Sequence, residues 1–85
     1  MTIINNVNVI QKDGEPYAVV EGIDDIHIAP INNMEELKAF GLQLLNVKWG
    51  VPDKITPIME LGLAIGTMSN ADGVPYSEIY REAWS

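Results

Sequence analysis

Two runs of β-favouring residues, Val7-Asn8-Val9-Ile10-Gln11 and Tyr17-Ala18-Val19-Val20, flank Lys12-Asp13-Gly14-Glu15. Asp and Gly both tolerate the positive φ that a two-residue hairpin turn demands, so the chain is expected to reverse here. Pro16 stands at the start of the return strand, where its missing N–H costs least. The first strand is expected to run from Ile3 to Gln11. Val7 and Val9 would then share one face, with Asn6, Asn8 and Ile10 on a second, partly wet one. Gly22 and Asp24-Asp25 break the pattern before Ile26-His27-Ile28 alternates again as a candidate third strand ahead of Pro30.

Downstream the period changes from two to near four. Asn33 can cap a helix whose reciprocal acid is Glu36. Met34, Leu37, Phe40, Gly41, Leu44, Leu45 and Lys48 recur at three- and four-residue spacing, which predicts a helix with one buried face. Gly50 and Pro52 are its expected stop. Thr56-Pro57 predicts a second helix, capped at Thr56 and opening on proline. Its run from Ile58 to Met68 is apolar nearly all round and needs cover on several sides. Gly62 and Gly66 bare one face to close backbone approach, either within the chain or from a second copy. After the polar turn Ser69–Gly73, Pro75 opens a last helix with Tyr76, Ile79, Tyr80 and Ala83 in a stripe that Trp84 extends. So aromatic a terminal helix must close the core or dock on a partner.

The expected architecture is α+β, one domain over residues 1–85: an antiparallel sheet of two or three strands followed by three helices packed on one face. A chain this short buries only about 60–65% of its unfolded surface, which favours pairing with another copy. Gly62, Gly66, Tyr76, Ile79, Tyr80 and Trp84 are the candidate partner-binding residues, and a homodimer is expected.

Charge narrows the function classes. Twelve acids against five bases give a formal charge of −7. The bases Lys12, Lys38, Lys48, Lys54 and Arg81 are scattered singly, so direct binding of DNA or RNA is not expected. The longest apolar stretch, interrupted by Glu60, falls short of the ~20 residues a membrane-crossing helix needs. With no secretory signal and no cysteine, a cytoplasmic protein is expected.

Chemistry finds little purchase. Asp24, Asp25 and His27 form the one local cluster able to bind metal or move a proton, and no second His or Cys exists to complete a zinc site. Met68 to Ile79 fails the calcium-loop template at its first and twelfth positions. Ser69 and Ser77 lack a nucleophile-elbow context. No catalytic residue, metal or cofactor is expected; a small hydrolase using Asp24, Asp25 and His27 ranks last.

The segment VNVIQKDGEPYAVVEGIDDI resembles the N-terminal hairpin of some bacterial antitoxins, the neutralising partners in toxin–antitoxin pairs. The likeness lies in Lys12-Asp13-Gly14, Pro16, Ala18-Val19-Val20 and Asp24-Asp25, and it covers residues 7–26 of the 85. The chain departs from such proteins in lacking a basic DNA-reading module and in the break at Pro30. The resemblance implies a dimerisation or partner-binding hairpin without operator binding. The functional expectation is a non-catalytic protein-binding or regulatory module, antitoxin-like or phage-borne. The alternative is an acidic mimic that occupies a nucleic-acid-binding site on another protein.

Overall fold

The computed structural model describes residues 2–46 and 55–84. The strands are β1 (Thr2–Ile4), β2 (Val7–Lys12), β3 (Glu15–Val19) and β4 (Ile26–His27). They form one four-stranded sheet in sequence order, with every neighbouring pair antiparallel. Helices α1 (Met34–Asn46) and α2 (Ile55–Ile65) follow, then two single-turn helices, α3 (Tyr76–Ile79) and α4 (Arg81–Trp84). The class is α+β, and the Asp13-Gly14 hairpin is present with φ of 53° and 80°.

The sheet is wider than expected. The single strand foreseen over Ile3–Gln11 is two strands, because Asn5 and Asn6 turn the chain at φ of 52° and 63°. Asparagine is among the few residues that visit this region readily, and two in succession make a tight reversal. Asn5 also donates its side-chain amide to the Pro57 carbonyl at 3.0 Å and to Glu60 Oε2 at 3.4 Å, fastening the turn to α2. Pro16 lies opposite Gln11, a pair that exchanges no backbone hydrogen bonds, so its absent N–H breaks nothing in the β2–β3 ladder. Its carbonyl accepts from Ile28 N at 3.0 Å.

One face of the sheet meets the helices. Val7, Val9, Ala18 and Ile26 are each no more than 5% exposed, and they share one core with Ile28, Ile31, Phe40, Leu44, Ile58, Leu61, Leu63 and Met68. Asn33 caps α1 as expected, its Oδ1 accepting from Glu36 N at 2.9 Å. The Glu36 carboxylate returns to Asn32 N at 3.2 Å, one residue earlier than the usual reciprocal bond. Phe40 and Leu44 are the buried residues of α1, whereas Met34 and Leu45, expected on the same face, are 53% and 67% exposed. The expected stop at Gly50 and Pro52 lies outside the described residues.

Helix α2 begins at Ile55, so Thr56 and Pro57 fall inside its first turn, where a proline N–H would have no intrahelical partner. Its end is also earlier than expected, at Ile65. The terminal helix is broken at Tyr80, whose φ of −103° and ψ of 17° leave the helical region. Short helices depend on packing more than on propensity. Here Tyr76, Tyr80 and Trp84, four residues apart, all pack against the core across the break. No helix among the described residues is long and apolar enough to cross a membrane.

Candidate functional site

The glycine face of α2 is occupied by the chain itself. Between β4 and α1 the backbone crosses α2 as a strap, with Ile31 N donating to Gly62 O at 3.1 Å and Met68 N to Ile31 O at 3.3 Å. A Cβ on Gly66 would fall on the Ile31 carbonyl. One on Gly62 would sit 3.0 Å from Ile31 Cδ1 and 3.1 Å from Ala29 O. Asn32 pins the strap's far end by accepting from Thr67 N at 2.9 Å and Thr67 Oγ1 at 3.0 Å. Of the other candidate partner residues, Tyr76, Tyr80 and Trp84 lean on the core and Ile79 is 46% exposed. The Tyr76 and Tyr80 rings stack at 6.0 Å.

The second face of the sheet takes no part in the core. Alternation and register align Ile3 with Asn8 and Val19, and Ile10 with Tyr17 and His27. Ile3 is 71% exposed, while Ile10, Tyr17, Val19 and His27 are half-buried. Tyr17 is the centre. The His27 ring lies 5.2 Å from it on one side, and Lys12 Nζ lies 5.1 Å from its centroid. A cation over an aromatic face is attracted by the ring quadrupole.

Each brace is itself held. Lys12 donates to Asp25 at 2.6 Å, and this hydrogen bond keeps the lysine pKa above its usual 10.5. His27 Nε2 lies 3.3 Å from Glu15 Oε2. Three strands thus converge on one tyrosine whose position is fixed in advance. The cluster escaped the sequence reading because Lys12, Tyr17 and His27 meet only through the register of β2, β3 and β4. The one visible signal was the alternation that put Ile10 on the face opposite Val7 and Val9.

The same geometry divides the Asp24, Asp25 and His27 cluster. Asp25 is committed to Lys12 and His27 to Glu15, while Asp24 is exposed. Among the described residues no three His, Cys, Asp or Glu side chains are grouped for a metal ion. A shallow open depression borders the face, lined by Gly22, Ile23, Asp24, Asp25, Ile26 and Gln43. The Ser69–Pro75 loop closes on itself, with Asn70 Oδ1 accepting from Asp72 N at 2.9 Å and Val74 N at 3.0 Å. Compared with known proteins, the chain finds no matching family model and no significant match among curated proteins or solved structures.

Proposed function

We propose that this chain is a non-catalytic, antitoxin-like binding module that acts through protein–protein contact, with the outer sheet face as its docking surface. The observation that carries this reading is the braced Tyr17 among exposed Ile3 and half-buried Ile10 and Val19, on the sheet face away from the core. An apolar patch rimmed by polar groups is the usual mark of an interaction site, and a tyrosine already held loses little freedom on binding. The residues that carry the antitoxin resemblance, 7–26, run through β2 and β3 and supply most of this face, which supports the same reading.

Photo-crosslinking tests it. A benzophenone amino acid placed at Ile10 or Val19 in the native host should give one discrete protein adduct. The same group at exposed Ala71 should give none. Equal labelling from all three positions, or none from any, overturns the proposal.

Self-association draws on a different surface. With Gly62 and Gly66 covered by the strap, three of the six exposed large apolar side chains among the described residues lie on α1, where Met34, Leu42 and Leu45 are 53%, 61% and 67% exposed. Together with Lys38 they follow one side of the helix at spacings of three and four. A two-fold contact would bury this stripe on both copies. Sedimentation equilibrium at tens of micromolar should then show a dimer that Leu42→Glu dissociates. A monomer under those conditions excludes it.

A further inference from the structure

We infer that the partner seated on the outer sheet face is a basic protein surface: an apolar side chain resting on Ile10, Tyr17 and Val19, with Lys or Arg on either side. This rests on the binding reading above and names its partner class. Charge surrounds the apolar centre of this face. Strand β3 starts beside exposed Asp13 and Glu15, and the loop that follows it carries exposed Glu21 and Asp24. Among the described residues Asp13, Glu21 and Asp24 make no salt bridge, although the Asp24 charge acts on Lys12. The nearest base in sequence, Lys12, is committed to Asp25 at 2.6 Å. Acids therefore mark both ends of a strand about 17 Å long, at ~3.3 Å per residue, with apolar and aromatic side chains and the single Asp25-bound Lys12 ammonium between them.

Three occupants can be weighed against that pattern. A nucleic acid would bring phosphates against unpaired carboxylates. A second copy would do the same, because a two-fold axis through this face sets each acidic margin near another. A basic protein surface meets the margins with opposite charge and the centre with apolar area. Complementary rims of this kind raise the rate of encounter and fix orientation, while the buried centre supplies most of the affinity.

The test uses the whole chain and a defined probe, a short alternating Lys-Leu peptide, with its Glu-Leu counterpart as control. Backbone amide shifts by NMR should move at Ile3, Ile10, Tyr17, Val19 and His27 with the basic peptide and stay still with the acidic one. The neutral variant Asp13→Asn, Glu21→Gln, Asp24→Asn keeps side-chain shape, suits the turn and leaves the Glu15–His27 contact intact. It should weaken binding by about tenfold and flatten its salt dependence. Ile10→Asp should abolish the shifts while circular dichroism stays native. Shifts centred on α1, or affinity indifferent to the neutral variant, would overturn the inference. The two proposals fail separately: loss of position-specific crosslinks from Ile10 and Val19 removes the binding reading. Crosslinks from Ile10 and Val19 that form in equal yield when irradiated at high salt, and in the neutral variant, remove only the basic partner.

Discussion

The two faces of the sheet are built from similar residues and come to opposite ends. Val9 and Ile10 are neighbours on β2; one is 3% exposed inside the core, the other half-buried on the outside. On the inner face Val7, Val9, Ala18 and Ile26 have helices and strap above them, and each buried Val or Ile side chain contributes about 1.5–3 kcal/mol. On the outer face the order comes from Lys12, Asp25, Glu15 and His27 around one ring. Surface ion pairs contribute little to stability, so these contacts fix the shape of the face far more than they hold the fold. Packing made the first face, and pre-ordering made the second.

The largest effect should come from closing the inner side's tightest approach. Gly66→Ala places a methyl on the Ile31 carbonyl, and neither backbone can yield without losing the strap's bonds. A loss of roughly 3 kcal/mol or more is expected by urea titration. Gly62→Ala meets the movable end of Ile31 at 3.0 Å and the Ala29 carbonyl at 3.1 Å, a shift of a few tenths of an ångström partly offset by up to ~1 kcal/mol of helix propensity, so its loss should be clearly smaller than at Gly66. Equal losses at the two glycines would mean that the strap does not set the limit.

A pair of neighbouring substitutions compares the faces directly. Val9→Ala empties part of the core and should cost roughly 2 kcal/mol. Ile10→Thr keeps the β-branch and exposes a hydroxyl to water, so stability should change by less than about 0.5 kcal/mol. Its effect should appear instead in partner capture. A large loss of stability from Ile10→Thr would show that the outer face belongs to the fold.

How much of this was legible follows from what each feature depends on. The Asp13-Gly14 turn and the Asn33 cap are local, settled by one or two residues, and both were readable. The Asn5-Asn6 turn is just as local, but without a glycine it reads as part of a polar-alternating strand. Gly62 and Gly66 announced a close approach without saying of what, since Ala29–Ile31 arrives from 31 or more residues away. The break at Tyr80 could not be read at all: the aromatic spacing is intact across it, and no proline or glycine marks it. The outer cluster needed three strands in register before its members met.

The smallest effect concerns the Lys12–Asp25 pair and tests whether bracing is mainly about shape. Folding raises the lysine pKa above 10.5, so the folded state favours the protonated form. Its contribution is complete below the ordinary pKa and is lost as pH rises through the raised one. Asp25→Asn removes the hydrogen-bonded charge that causes the shift. Wild type and Asp25→Asn should therefore differ slightly in Tm by a constant amount around neutral pH, and the gap should close as pH rises through the raised lysine pKa. Both chains share every other titrating group, so the difference isolates this pair. Amide shifts at Tyr17 should move in the variant at neutral pH even where Tm hardly does, because the ammonium loses its anchor over the ring. A gap in Tm that is unchanged into strong alkali would assign the loss to packing at Asp25, and an unmoved Tyr17 would mean that the ring is held without Lys12.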